Sequence, residues 1–326
     1  MSERPIIIGT RGSALALAQA NLMLAQCRAA FPTLTFALKI IKTTGDKLQT
    51  ASMARPDASL PKGLFTKELE VALLNGQADL AVHSLKDLPT DLPPGLMLAA
   101  TPERADVRDV LIYRAAEHPS GAKAMRGFKP QTALKDFPRG ATIATSSTRR
   151  KAQLQVVRPD LNIVEIRGNV ATRMKKVADQ AELDATVLAL AGLTRLNFTI
   201  SPAGQLHGDA VPDGLLASVL PVAAMLPCVG QAAIGIEIRA DDERIARVCA
   251  RLNHRATFLC VTAERAFLHG MGGGCQSPVA AYAEIAGEQI TMRALSFRDG
   301  PAKRSEGTLP LDAAAELGAQ LATALR

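Results

Sequence analysis

Short apolar runs alternate with amphipathic stretches along the first two-thirds of the chain, a pattern typical of α/β proteins. The first unit has predicted strands at Ile6–Gly9, Phe36–Ile41 and Leu80–His83, and predicted helices at Ala14–Ala30 and Thr66–Leu74. The pattern then restarts with strands at Thr142–Ala144, Ile163–Ile166 and Ala185–Ala191, and helices at Thr148–Val157 and Val170–Asp179. The restart predicts two similar α/β lobes that face each other.

The last third of the chain has a different pattern. Its predicted elements are a strand Ile234–Ile238, helices Asp242–Leu252 and Thr257–Leu268, strands Val279–Glu284 and Ile290–Phe297, and a helix Asp312–Leu325. The elements after residue 274 predict a small α+β module. Between the two lobes, the polar stretch Glu117–Pro138 is interpreted as a surface excursion.

Length and composition limit the class of protein. A chain of 326 residues that is 48% hydrophobic and 21% charged is globular and long enough for two or three domains. The first apolar run, Ile6–Ile8, is too short for a secretory signal. The most apolar region, Leu215–Ile238, is interrupted by prolines and glycines and cannot form a membrane helix. We therefore expect neither export nor membrane insertion.

The cysteines indicate a reducing compartment. There are five, an odd number, and none forms a CxxC pair. A disulfide framework or a zinc site is therefore not expected.

The charge indicates an anionic partner. The net charge is +7, and 25 of the 38 basic residues are arginine, which grips planar carboxylates with two hydrogen bonds. Aromatic residues make up only 3% and tryptophan is absent, which disfavours a nucleic-acid binder that stacks bases. A small molecule rich in carboxylates fits better.

Several arginines lie where a cation is unfavourable. Arg149, Arg150 and Arg173 fall in the first turns of predicted helices, and Arg11 directly precedes one. A cation near a helix N-terminus costs about 0.3–1 kcal/mol. One such arginine is usually a solvated side chain, but several at successive strand-to-helix loops predict an anion site. Hydroxyl groups of Ser13, Thr145, Ser146 and Ser147 follow the same strands, and the pattern leaves the anion unidentified.

Two further residues allow both a structural and a chemical interpretation. Asp87 precedes Leu88-Pro89 and is either a turn residue or a carboxylate that faces the cleft and stabilises a cation or moves a proton. Cys275 is either a small core residue or an accessible thiol, and the three glycines before it favour the second. His83 is expected to be buried by strand alternation rather than to act as an acid or base.

Six segments, in order along the chain, resemble the signature segments of the porphobilinogen deaminase family, the hydroxymethylbilane synthases. The segments are Leu80–Pro89, Thr145–Arg150, Arg167–Arg173, Leu188–Leu193, Val261–Ala266 and Gly273–Gln276. The resemblance implies a cytoplasmic, monomeric transferase that joins four porphobilinogen molecules with loss of ammonia. It also implies a dipyrromethane cofactor and no metal, nucleic-acid or membrane partner.

The resemblance implies a fold of two periplasmic-binding-protein-like α/β lobes with crossing connections, and a small C-terminal α+β domain. The expected domains are 1–102 with 233–250, 108–226 with 255–272, and 275–326.

The resemblance also implies roles for particular residues. Cys275 holds the cofactor through a thioether, and Asp87 stabilises the positively charged pyrrole. Lys62 and Phe65 belong to a flap. The residues implied to bind cofactor and substrate are Arg11, Ser13, Ser84, Lys86, Thr145, Ser147, Arg149, Arg150, Arg167, Arg173 and Arg195.

Two departures from the family pattern stand out. Ser59-Leu60-Pro61-Lys62-Gly63-Leu64-Phe65 stands where many members carry Gly-Gly-Lys-Gly-Leu-Phe in the flap segment, and Ala232 replaces the usual glycine after Gln231. A two-lobed anion-binding protein of the periplasmic or regulatory kind is the main alternative. It explains the lobes and the arginines but leaves Asp87 and Cys275 without a role.

Overall fold

The computed structural model describes residues 4–43, 65–117, 125–274 and 277–326. The predictions for Lys62, Cys275, the segment 44–64 and the segment 118–124 lie outside these ranges. The described strands are β1 (Ile6–Thr10), β2 (Phe36–Ile40), β3 (Leu80–Ser84), β4 (Leu96–Ala100), β5 (Asp109–Arg114), β6 (Thr142–Ala144), β7 (Asn162–Val164), β8 (Ala185–Ala189), β9 (Thr199–Ile200), β10 (Leu206–His207), β11 (Leu215–Val219), β12 (Ile234–Arg239), β13 (Val279–Ala286), β14 (Gln289–Ser296) and β15 (Lys303–Pro310).

The described helices are α1 (Ala14–Ala30), α2 (Lys67–Leu74), α3 (Thr148–Val157), α4 (Val170–Asp179), α5 (Leu190–Arg195), α6 (Glu243–Leu252), α7 (Arg255–Gly270) and α8 (Ala314–Leu325). None of these helices is long and apolar enough to span a bilayer.

Two five-stranded sheets share one arrangement. The first has the order β2-β1-β3-β12-β4, and the second, read from its other edge, has the order β7-β6-β8-β5-β11. In each sheet the first three strands are parallel, and the fourth is antiparallel to both of its neighbours. The predicted pair of similar α/β lobes is confirmed.

The chain crosses between these two lobes twice. It leaves the first sheet after β4 to form β5 of the second, and it returns after β11 to form β12 of the first. Residues 101–108 and 220–233 therefore connect the lobes, and the first sheet is complete only at Arg239.

The C-terminal module is a separate antiparallel sheet, β13-β14-β15, covered by α7 and α8. Its core includes Phe267 of α7, Met292 of β14, and Leu317 and Leu321 of α8. Gly318 lets α8 approach α7 closely, since a Cβ there would overlap the carbonyl of Ala263. The predicted small α+β module is confirmed.

The second part of the predicted surface excursion is instead part of a core. Phe128, Leu134 and Phe137 are buried, and the rings of Phe128 and Phe137 meet that of Tyr113 edge to face at 5.9 and 5.6 Å. The prediction was wrong here because single apolar residues spaced through a polar stretch give no periodic signal.

Candidate active site

The predicted site residues lie at the carboxyl ends of parallel strands in both lobes, where open α/β sheets bind ligands. In the first lobe Arg11 and Ser13 follow β1, and Ser84 closes β3 ahead of Lys86 and Asp87. In the second lobe Thr145, Ser147, Arg149 and Arg150 follow β6, Arg167 and Arg173 follow β7, and Arg195 follows β8. The two edges meet, because α1 of the first lobe contacts α5, which carries Arg195.

Asp87 lies on a turn of 3₁₀ helix, Leu85–Asp87, and is half-buried. The turn is held at its base by Leu85, whose N–H donates to the carbonyl of Ala233 at 3.0 Å. It closes through the N–H of Leu88, which donates to the carbonyl of Leu85 at 3.1 Å. Asp87 is therefore a turn residue, and its carboxylate is on the edge where the other candidate residues gather.

The other first-lobe candidates are partly engaged within the protein. The Ser84 hydroxyl is hydrogen-bonded to the side-chain amide of Gln19, at 3.0 and 3.1 Å to its two atoms. The Ser13 hydroxyl caps α1 by accepting from the Ala16 N–H at 3.3 Å. The Arg11 guanidinium lies 4.3 Å from the centre of the Phe65 ring, a cation–π contact.

In the second lobe, Arg149 and Arg150 share one buried acid. Arg149 Nη1 donates to Asp109 Oδ2 at 2.7 Å, and Arg150 Nη2 donates to Asp109 Oδ1 at 2.7 Å. All three side chains are buried. Burial alone would raise the pKa of Asp109, but the two guanidiniums outweigh it and hold that pKa well below its ordinary range. The carboxylate of Asp109 therefore offsets the unfavourable placement of two cations at the start of one helix.

The loop before α3 fixes where these arginines begin. The Ser147 hydroxyl accepts from the Arg150 N–H at 3.4 Å, as a helix cap. Thr145 Oγ1 in turn accepts from the Ser147 N–H at 3.2 Å. Both hydroxyl groups therefore support α3, and the arginine side chains extend from its first turn toward the lobe interior.

The arginines outnumber the acids around them. The Nε atoms of Arg149 and Arg150 are buried and have no hydrogen-bond partner among the described residues. Burial, with repulsion from Arg150, lowers the pKa of Arg173, and burial lowers that of Arg195 to about 10. Both groups remain cations at neutral pH, so the site has an unbalanced positive charge that suits an anion. Arg167 is instead exposed, 3.7 Å from Glu165.

Sequence reasoning missed a second buried network, which joins the crossing connections to the C-terminal module. Both carboxylate oxygens of Glu264 accept from the guanidinium of Arg104, at 2.7 and 2.9 Å. The same carboxylate accepts from the N–H groups of Gly230 at 2.8 Å and Ala283 at 3.0 Å. The available signal was the acid Glu264, which is three residues from Val261 and from Phe267 and so lies on the apolar face of the predicted helix Thr257–Leu268.

The cysteines of the described ranges differ in accessibility. Burial raises the pKa of Cys27 and Cys260 to about 11 and that of Cys249 to about 12, so these thiols are unreactive at neutral pH. Cys228 is half-buried, with its sulfur 3.4 Å from Gln231 Oε1. Among these ranges, no three His, Cys, Asp or Glu side chains gather as metal ligands.

The glycine-rich loop before Cys275 is tightly folded. Gly272 adopts a positive φ of 64°. A Cβ at Gly273 would overlap Ser277, whose N–H donates to the carbonyl of Gly274 at 2.9 Å. A side chain at position 273 would therefore force Ser277 to move.

Comparison with known proteins identifies the family. Residues 6–247 match the model "Porphobilinogen deaminase, dipyromethane cofactor binding domain", and residues 258–326 match the model of the family's C-terminal domain. The chain is 43% identical over 303 residues to a porphobilinogen deaminase of Syntrophomonas wolfei, covering 93% of this chain and 88% of that one. It is 41% identical over 325 residues to that of Desulforudis audaxviator, covering 99% and 94%.

Among solved structures, the periplasmic aliphatic sulphonate binding protein SsuA of Escherichia coli is 11% identical, with a TM-score of 0.36, over 83% of this chain and 71% of that one. The family models and the curated relatives cover nearly the whole chain. The chain belongs to the porphobilinogen deaminase family, the hydroxymethylbilane synthases, which are transferases of tetrapyrrole biosynthesis.

Proposed function

We propose that the meeting edges of the two lobes are the active site at which this chain joins four porphobilinogen molecules, with loss of ammonia, into hydroxymethylbilane on a dipyrromethane primer. The observation that carries this placement is the excess of buried and half-buried arginine over acid. Arg149, Arg150, Arg173 and Arg195 lie near the carboxyl ends of β6, β7 and β8, and Asp109 balances only part of their charge. Substrate and primer are rich in carboxylates, which supply the missing negative charge.

The residues present fit a dipyrromethane. The free Nε–H groups of Arg149 and Arg150 are buried donors, which are rarely left unpaired in a finished site. We assign these two arginines to the primer because their side chains are buried and fixed by Asp109. The primer, when bound, supplies the pyrrole carbon to which the first substrate molecule is joined.

The more accessible cations are assigned to incoming substrate and the growing chain. These are Arg11, Arg167, Arg173 and Arg195, assisted by Ser13, Ser84, Lys86, Thr145 and Ser147. A charge-assisted hydrogen bond to a carboxylate contributes about 1.5–3 kcal/mol, so several arginines can hold a chain that gains carboxylates at each addition. Phe65, with its ring against Arg11, ties the proposed flap to this group. Lys62 belongs to the same proposed flap.

Asp87 is assigned to the chemical step. Its carboxylate is on a constrained turn, half-buried, and can stabilise positive charge on the substrate pyrrole as ammonia leaves. Asp87→Asn keeps the size and removes the charge. We expect kcat to fall by about two to four orders of magnitude while the primer is retained. Asp91→Asn, in the exposed loop that follows, is the matched control and should keep normal turnover. Near-normal turnover of Asp87→Asn would return Asp87 to the role of a turn residue.

Cys275 is assigned as the attachment point of the primer, through a thioether. Three of the other four thiols are buried with raised pKa values, which leaves Cys228 as the one described competitor. Intact mass spectrometry of purified protein should show a two-pyrrole adduct in the wild type and in Cys228→Ser, and none in Cys275→Ser. An adduct on Cys275→Ser would disprove the assignment.

We further propose that the enzyme is a cytoplasmic monomer whose domains are 1–102 with 233–250, 108–226 with 255–272, and 275–326. The crossing connections support the division of the first lobe, because β12 joins the first sheet only after β11 has completed the second. The strands of the second sheet all come from 109–219, and α7, which these boundaries assign to the second lobe, packs against the C-terminal sheet. The free thiols of the described cysteines are typical of a reducing compartment. Size-exclusion chromatography with light scattering tests the oligomeric state, and a dimer mass would contradict the monomer.

A further inference from the structure

A buried polar cluster lies beneath the strand that leads to Asp87. His83 Nε2 is 2.9 Å from Glu237 Oε2, and the two side chains are 3% and 0% exposed. They share one face of the first sheet, since His83 on β3 is paired with Gly235 and Glu237 on β12 with Ala81. Helix α2 packs on these strands and contributes the buried Glu70.

The charges of this cluster are not balanced by a second base. Arg239 continues β12 on the same face, but its guanidinium donates to the carbonyls of Leu73 and Ala78 and to Asp242. Burial raises the pKa of Glu70, the charges of Glu237 and Glu68 raise it further, and His83 and a hydrogen bond from Thr66 oppose the rise. Within this cluster, His83 and Glu237 are the two side chains that lie within hydrogen-bond distance of each other.

Such a pair is a poor way to stabilise a core. A buried ion pair often contributes no more than apolar residues of the same volume, whereas a buried group left unpaired is costly. Glu237 Oε1 has no hydrogen-bond partner among the described residues, so the cluster is not optimised for stability. Another role has to account for it.

The position of the pair in the strand indicates that role. His83 and Ser84 are consecutive and point to opposite faces of β3. Ser84 is hydrogen-bonded to Gln19 of α1 on one face, and His83 to Glu237 on the other. The chain then enters the turn that carries Asp87. The end of the strand is thus held from both sides immediately before the proposed catalytic carboxylate.

We propose that His83 and Glu237 are positioning residues for Asp87, and that their hydrogen bond fixes the end of β3 and thereby the direction of the Asp87 carboxylate. The inference rests on the proposed role of Asp87 in the reaction. A displacement of about 1 Å at a catalytic group can cost about a hundredfold in rate.

His83→Leu removes the hydrogen bond while keeping similar volume, and Glu237→Gln keeps a hydrogen-bonding partner for His83. In the full-length enzyme with its primer, we expect His83→Leu to lower kcat by about ten- to a hundredfold, with KM for porphobilinogen within about twofold. Glu237→Gln should keep most of kcat. Ile236→Val is the matched control: it trims the core at the neighbouring position of β12, on the other face, and should keep kcat.

The double variant His83→Leu with Glu237→Leu separates positioning from stability. It removes both members of the pair, so neither is left buried without the other, and its melting temperature should recover toward that of the wild type. A positioning role requires kcat to stay low in this variant, whereas a purely structural role requires kcat to recover with the melting temperature.

Recovery of kcat in the double variant, or an equal effect of His83→Leu and Ile236→Val, would overturn the inference. Asp87→Asn, measured alongside, keeps the two proposals apart. Normal turnover of Asp87→Asn would remove the role assigned to Asp87 itself. An inactive Asp87→Asn with a fully active His83→Leu would remove only the positioning role.

Discussion

Asp109 is the residue whose loss should be most costly, because a single carboxylate serves two buried arginines. It is fully buried and accepts from Arg149 and Arg150 at 2.7 Å each and from Gln231 Nε2 at 3.0 Å. Removing one partner of a buried ion pair costs about 3–5 kcal/mol. Asp109→Asn leaves two guanidiniums without their counter-charge, so we expect a loss of about 5 kcal/mol. Since whole domains are stable by only about 5–15 kcal/mol, the second lobe should become marginal.

Urea unfolding followed by circular dichroism measures this loss. Asp106→Asn is the matched control: Asp106 lies three residues earlier and pairs with Arg108 on the surface, where its side chain is 35% exposed. An exposed pair contributes at most about 1 kcal/mol, so the control should unfold close to the wild type. Intact mass reports in parallel whether Asp109→Asn still acquires the primer.

The pH dependence gives a second, independent test. The folded-state pKa of Asp109 is held below the value for an unfolded chain, so its contribution is complete above about pH 4 and is lost as the pH falls through the folded-state pKa. The stability difference between the wild type and Asp109→Asn should therefore be largest at neutral pH and shrink below pH 4. A cost as small as that of Asp106→Asn, or a difference that stays constant down to pH 3, would refute the reasoning.

Two further predictions concern single positions in the first lobe and its connection. Ala232 has a φ of 68°, but its methyl group is buried beside Val107 and Ala191, so strain and burial should nearly cancel. In thermal unfolding, Ala232→Gly should therefore stay within about 1 kcal/mol of the wild type, whereas the β-branched Ala232→Val should cost more than about 2 kcal/mol. Burial raises the pKa of Glu70, so this side chain stabilises the fold less as the pH rises above the ordinary pKa of a glutamate in an unfolded chain. The melting temperature of Glu70→Gln relative to the wild type should thus increase from pH 5 to pH 8, and a constant difference, like that expected of the exposed Glu288→Gln, would contradict this.

The helices and strands with a regular hydrophobic period could be predicted from the sequence. The two crossings of the chain between the lobes could not be derived from that pattern. Helices such as Thr148–Val157 and Val170–Asp179 have the predicted bounds, because capping residues Ser147 and Asn169 and apolar periodicity act locally. Strand β5 went unrecognised although it lies inside the second sheet, between β11 and β8. Its run Val110–Tyr113 is uniformly apolar, and such a run has no alternation to identify it as a strand.

The same contrast holds for the site. The positions of Arg149 and Arg150 follow from the helix start at Thr148, and their unfavourable placement was visible in the sequence. Their partner Asp109 comes from a strand 40 residues away, and no local pattern connects the two. The burial of His83 was expected from alternation along β3, whereas its partner Glu237 on β12 depended on a pairing that only the crossing brings about.

Gln231 links the anion site to the rest of the molecule. Its side-chain Nε2 donates to the carbonyl of Val107 at 2.6 Å and to Asp109 at 3.0 Å. Its main-chain carbonyl accepts from Arg104 Nε at 2.8 Å. Arg104 in turn donates to Glu264, which accepts from the first strand of the C-terminal sheet through the Ala283 N–H. One chain of buried hydrogen bonds therefore joins both crossing connections to Asp109, the acid that pairs with the arginines, and to the module that follows the Cys275 loop. Because such groups are costly to leave unpaired, a movement of either connection must carry its partners with it or replace each bond. The geometry of the arginines is in this way tied to the module next to the proposed primer attachment point, through the connections as well as through lobe packing.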